Sequence, residues 1–260
     1  MNVACLQVDI QFGHPEQNKK IILNTLDEAM EKSPDVIVLP ELWTTGYDLE
    51  RLNEIADIDG NDTKQFIGLL AKQYKVNIIA GSIAKKVDER ITNTTYIFNR
   101  EGKVISEYSK AHLFKLMNEH LYLQHGNTKG QFELEGTLAA SLICYDIRFP
   151  EWVQAHTTNE ARANIIFIVA QWPLARLDHW LTLLRSRAIE NQCYIVACNR
   201  SGNDPNNQFA GHSVIYNPWG EVVAEAGLDS CILHASLQLE TVAKIREQIP
   251  IFEDRRPDLY

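Results

Sequence analysis

Leu138-Ala139-Ala140-Ser141-Leu142-Ile143-Cys144, followed by Tyr145-Asp146-Ile147-Arg148-Phe149-Pro150, is the stretch on which the fold turns. Its first seven residues read as a strand buried on both faces. Pro150 suits the first turn of a helix, where its fixed φ and missing N–H cost nothing. The thiol of Cys144 therefore stands at a strand-to-helix elbow. Apolar runs of strand length recur outward from it, at residues 3–8, 36–39, 76–80, 94–98, 165–170 and 194–198. Helical stripes separate them. Ile22, Leu26, Ala29 and Met30 line one face of residues 15–32, which stop before Ser33-Pro34. Asp62 reads as the N-cap of a second helix with Phe66, Leu69 and Leu70 on its apolar side, and Leu177, Leu181, Leu184 and Ala188 mark a third over residues 178–192. Turn signals at Asp59-Gly60, Glu101-Gly102, Glu135-Gly136 and Pro218-Trp219-Gly220 make residues 92–108 and 212–237 hairpins, so the sheets are mixed. With no linker, repeat or low-complexity tract, residues 1–260 read as a single α/β domain. Residues 238–260 begin helically and continue as a tail whose apolar anchors, Ile249 to Phe252 and Pro257 to Tyr260, suit packing on a partner subunit.

Composition excludes several classes of function. Of the 260 residues, 45% are apolar and 23% charged, which is enough to bury a substantial core. The longest purely apolar run, residues 165–170, is far shorter than the ~20 residues of a membrane span. Residues 1–5 lack the order of a signal peptide, so a cytoplasmic protein is expected. A net charge of −9 without a basic cluster would repel a phosphate backbone, and nucleic acid is not an expected partner. Five cysteines without a C-x-x-C pair suggest neither a disulfide framework nor a zinc knuckle.

Three strand ends carry groups suited to chemistry. Cys144 lies where successive backbone N–H groups favour both a thiolate and an oxyanion, although most free cysteines, Cys5, Cys193 and Cys198 among them, are small buried hydrophobes. Glu41 directly follows the apolar run Val36-Ile37-Val38-Leu39-Pro40, a position that makes it a partly dehydrated general base or else a loop cap. Lys110 ends another strand among apolar neighbours, where a solvated surface lysine is the ordinary alternative. In α/β proteins ligands collect at the carboxyl ends of strands, and all three residues lie there. Asp146 and Arg148, two apart beside the thiol, read as a buried ion pair supporting the elbow.

Leu39-Pro40-Glu41-Leu42-Trp43, Tyr108 to Phe114 and Ile143 to Glu151 together resemble the three catalytic blocks of the nitrilase (carbon–nitrogen hydrolase) superfamily. The resemblance extends over Gln171-Trp172-Pro173, His179-Trp180, Arg187 to Gln192 and Asn199 to Gly202, and residues 119–126 match the segment carrying that family's second glutamate. No catalytic position departs from the pattern. The resemblance implies a four-layer α-β-β-α sandwich with two mixed sheets, paired into a homodimer. It also implies roles: Cys144 as nucleophile, Glu41 as base and then acid, Lys110 with the Tyr145 N–H as oxyanion holder, and Glu119 orienting Lys110 or the substrate. The thioester route needs no metal or organic cofactor.

Trp43 to Asp48, Ala170 to Arg176 and Ile245 to Pro250 are similar to the omega-amidase branch, most of all its bacterial members associated with methionine salvage, which hydrolyse 2-oxoglutaramate. That small-molecule amide carries a carboxylate far from the scissile bond, so a second cation is expected in the pocket, and Arg176 is the candidate. Tyr47 and Trp172 are expected as pocket walls. The same triad would equally serve an aliphatic amidase, a nitrilase or an N-carbamoyl amino-acid hydrolase. Acyl transfer or a non-catalytic scaffold fits the chain less well.

Overall fold

Strand alternation decides which face of each sheet meets which layer. In the computed structural model, which describes residues 1–158 and 162–259, the first half of the chain runs β1 (Asn2–Gln7), α1 (Pro15–Ala29), β2 (Val36–Val38), α2 (Leu52–Ile55), β3 (Asp57–Ile58), α3 (Asn61–Tyr74), β4 (Asn77–Ile79), β5 (Ile83–Val87), β6 (Arg90–Phe98), β7 (Val104–Ser109) and α4 (Glu119–Tyr122). The second half runs β8 (Gln131–Leu134), β9 (Thr137–Ile143), α5 (Pro150–Gln154), β10 (Ile165–Ala170), α6 (Leu177–Asn191), β11 (Tyr194–Asn199), β12 (Val214–Tyr216), β13 (Val222–Glu225), β14 (Cys231–Ser236) and α7 (Glu240–Gln248). Among the described residues eight strands form one sheet in the order β14-β1-β2-β4-β6-β5-β3, with β7 also on β6, and six form the other in the order β13-β12-β11-β10-β9-β8. Both are mixed: β1, β2 and β4 are parallel, as are β9, β10 and β11, and antiparallel strands flank each trio.

Val3, Cys5, Val36 and Val38 face the second sheet across the central core, while Ala4, Leu6 and Ile37 face Ile22, Leu26, Ile67 and Leu70 of α1 and α3. On the far side, Leu184 and Ala188 of α6 join Trp180 against the second sheet. The layers are helix, sheet, sheet, helix, as the resemblance implies. The two parallel trios point their carboxyl ends at one region, and the site forms there.

Three local expectations need correction. Gly60, in left-handed backbone, caps α3 instead of Asp62, whose N–H, with that of Thr63, is taken by the Asp57 carboxylate. The buried stripe of α3 is Ile67, Leu70 and Ala71, and Leu69 is exposed. Residues 212–237 are not a hairpin throughout: β12 and β13 pair, but β14 crosses to pair antiparallel with β1 of the other sheet. The helical start of the C-terminal stretch, α7, packs on its own subunit through buried Val242 and Ile245. Exposed anchors begin at Ile249 and recur at Leu259, and Tyr260 lies outside the described residues. No helix among the described residues is long and apolar enough to cross a membrane.

Candidate active site

Glu41 follows β2 in a loop held by the turn between β4 and β5. Ser82 accepts from Leu42 N at its hydroxyl, 2.9 Å, and from Trp43 N at its carbonyl, 3.0 Å. Gly81 (φ +55°) runs so close that a Cβ there would stand 2.0 Å from the Pro40 carbonyl. Lys110 follows β7. Glu119 opens α4 behind Asn118, itself in left-handed backbone. Cys144 follows β9 at φ 47°, a conformation an L-residue adopts only when its surroundings impose it. It begins a one-turn 3₁₀ helix, Cys144–Arg148, whose first N–H groups have no partner within the helix.

The side chains of Glu41, Lys110 and Glu119 are fully buried. The Lys110 ammonium donates to Glu41 Oε1 at 2.8 Å and to Glu119 Oε1 at 2.7 Å. Burial disfavours its charge, but Glu119 and Glu41 more than compensate and hold its pKa well above the ordinary value. Burial raises Glu119 despite Lys110 beside it. Burial, then the Glu41 charge, pushes the Cys144 thiol well up against the opposing pull of Lys110. Cys144 is thus a protonated thiol beside Glu41. This arrangement suits general-base attack better than a preformed thiolate. Burial also lifts the Cys193 thiol, to about 12.

Other residues finish the site. Gln171, after β10, donates its N–H to Glu41 Oε2 at 2.9 Å and its Nε2 to the Glu41 carbonyl at 2.6 Å, and the buried Arg200 donates to Gln171 Oε1 at 3.0 Å. Asn93 of β6 donates Nδ2 to Glu41 Oε1 at 2.8 Å. Asn93 escapes a sequence reading because it sits inside a hairpin strand with no motif around it.

The expected Asp146–Arg148 ion pair does not form. Asp146 Oδ2 accepts from the Tyr108 hydroxyl at 2.6 Å and Ile143 N at 3.1 Å, and Oδ1 accepts from His112 N at 3.1 Å and pairs with His112 Nδ1 at 2.8 Å. The carboxylate therefore ties the cysteine elbow to the lysine loop. Arg148 turns the other way, over the Trp172 ring, 4.8 Å from its centroid. Tyr47 is not a wall of the pocket beside Cys144: its hydroxyl donates to Glu119 Oε1 at 2.7 Å. That pocket is lined by Phe114, Met117, Cys144, Tyr145, Arg148, Gln171, Trp172, Pro173 and Arg176, which places Trp172, Tyr145 and Arg176 on its wall. Arg148 joins Arg176 unannounced by the sequence. Among the described residues, neither guanidinium pairs with a carboxylate.

The carbon–nitrogen hydrolase family profile matches residues 2–247. The chain belongs to the carbon–nitrogen hydrolase family. As such it is a hydrolase of non-peptide carbon–nitrogen bonds. Among proteins similar to this hydrolase, the 2-oxoglutaramate amidase of Bacillus subtilis (strain 168) is 52% identical over 258 residues, 99% of this chain and 98% of that one. The omega-amidase YafV of Escherichia coli (strain K12) is 35% identical over 222 residues, 85% and 84% of the two chains. In structure, XC1258 of Xanthomonas campestris, a CN-hydrolase superfamily protein with an arsenic adduct in its active site, superposes with a TM-score of 0.92 at 27% identity over 98% and 97% of the two chains.

Proposed function

We propose that this hydrolase is an omega-amidase that converts 2-oxoglutaramate to the dicarboxylic acid and ammonia through a thioester on Cys144. The observation that carries the reading is the pair Arg148 and Arg176 on the wall of a small pocket that opens on Cys144. Burial, together with Arg176 as a nearby like charge, lowers the pKa of Arg148, so two cations stand close together where a ligand carboxylate would relieve them. The similarity to the Bacillus subtilis 2-oxoglutaramate amidase supports the same substrate.

Glu41 takes the Cys144 proton as sulfur attacks the amide carbon, and the tetrahedral oxyanion is met by the Lys110 ammonium and the Tyr145 N–H. The carbon–nitrogen bond breaks as Glu41 returns that proton to nitrogen, and ammonia leaves. Glu41 then takes a proton from water as its oxygen attacks the thioester. The carbon–sulfur bond breaks, the acid is released and the thiol regains its proton. Glu119 fixes Lys110 throughout, held itself by Tyr47 and by Phe114 N at 2.8 Å. The exposed anchors after α7 support a homodimer, and five free cysteines fit a reducing cytoplasm.

Ammonia release is measured from 2-oxoglutaramate beside glutamine, asparagine, an aliphatic nitrile and an N-carbamoyl amino acid. Turnover of 2-oxoglutaramate, lost in Cys144→Ala and with KM raised at least about tenfold in Arg176→Ala, is the expected result. Preference for an uncharged amide would overturn the substrate assignment.

A further inference from the structure

Asn93 is fully buried on β6 and addresses two of the reacting groups at once. Its Nδ2 donates to Glu41 Oε1 at 2.8 Å, and its backbone carbonyl accepts from Lys110 N at 2.8 Å. The other end of the same carboxamide is idle: Oδ1 is buried with no hydrogen-bond partner among the described residues. An unpaired buried acceptor weakens a fold, and an apolar side chain of similar size would avoid that cost. A residue serving packing alone has no use for an amide here.

We propose that Asn93 is a positioning residue that occupies Glu41 Oε1 and so aims its Oε2 at the Cys144 thiol. Among the described residues, Oε1 receives two donors, Asn93 Nδ2 and Lys110 Nζ, and Oε2 one, the Gln171 N–H. Oε2 therefore keeps the lone pair for the thiol proton. A donor on Oε1 favours the carboxylate over its acid form, which matters in a site that excludes water. The inference rests on the assignment of Glu41 as base and Cys144 as nucleophile.

The test is the pH dependence of Cys144 alkylation by iodoacetamide, followed by peptide mapping, in the wild type, Asn93→Ala and the isosteric Asn93→Asp. This readout needs no amide substrate. Expected is an acid limb moved upward by about one pH unit in Asn93→Ala and further in Asn93→Asp. An alkylation rate reduced by one factor at every pH, with the limb unmoved, would overturn the proposal. If Asn93→Ala does not fold, Asn93→Asp alone decides by the same criterion. A wild type that alkylates with this profile yet releases no ammonia from any amide would sink the amidase reading and leave the role of Asn93 standing.

Discussion

Lys110 is a buried ammonium whose charge survives only through its two carboxylate neighbours, so neutralising one of them has a signed consequence. Glu119→Gln removes the larger of the two electrostatic supports against desolvation, and the Lys110 pKa falls. On the proposed mechanism the oxyanion donor is then lost at lower pH. The descending alkaline limb of the kcat profile should move down, with kcat reduced at least about tenfold at its optimum. An unmoved alkaline limb would separate Glu119 from Lys110. Sequence located these residues unevenly. Glu41, Lys110 and Cys144 each end a strand, where apolar run and reactive group meet in a readable order. Glu119 came through resemblance alone, since nothing local shows that a helix-opening glutamate is fully buried. Asp146 and Arg148 misled because neighbours in number diverge in a tight 3₁₀ turn, and besides Ile143 N the partners of Asp146 are Tyr108 of β7 and His112 of the lysine loop, more than thirty residues away.

Between elements, the turn joining β4 to β5 is what shapes the Glu41 loop. Gly81→Ala would force an L-residue into φ +55° and press a methyl group on the Pro40 carbonyl. A stability loss of at least ~1–2 kcal/mol is expected in urea unfolding, with a fall in kcat larger than that of an equally destabilised surface variant. Equal falls in the two proteins would show that the loop position is unimportant. The strands and helices were largely legible because each carries its own periodicity. What failed was pairing at a distance: β14 follows a hairpin in sequence but belongs beside β1, more than two hundred residues earlier, and only the assembled sheet edge states that. The cap of α3 failed for a smaller reason. Gly60 adopts left-handed backbone and leaves capping to Asp57, three residues before it.

Across the whole molecule, Arg100 in the turn after β6 fastens the two sheets at the end away from the site. It donates to Asp35 ahead of β2 at 2.8 Å, to the Lys75 carbonyl at 2.9 Å, and to Glu135 between β8 and β9 at 2.5 Å. Burial opposes ionisation of Asp35, but Asn2 N–H and Arg100 outweigh it and lower its pKa; for Glu135 the Arg100 hydrogen bond is the main cause of the same shift. Carboxylates lowered in the folded state contribute stability above their unfolded values, 3.8 and 4.5, and lose it as pH falls through the folded ones. Arg100→Gln should therefore lower the urea midpoint at pH 7 and flatten its decline below about pH 4.5, compared with wild type. Parallel declines would disprove the clasp. The site at the opposite end is divided between the sheets, with Glu41 and Lys110 on one and Cys144 on the other. Catalytic competence is consequently a ruler of inter-sheet spacing: a chain that keeps its strands but lets the layers drift by an ångström should fall silent before its backbone signal changes. The same division protects a chain still being synthesised, whose cysteine meets no base until both halves have closed on each other.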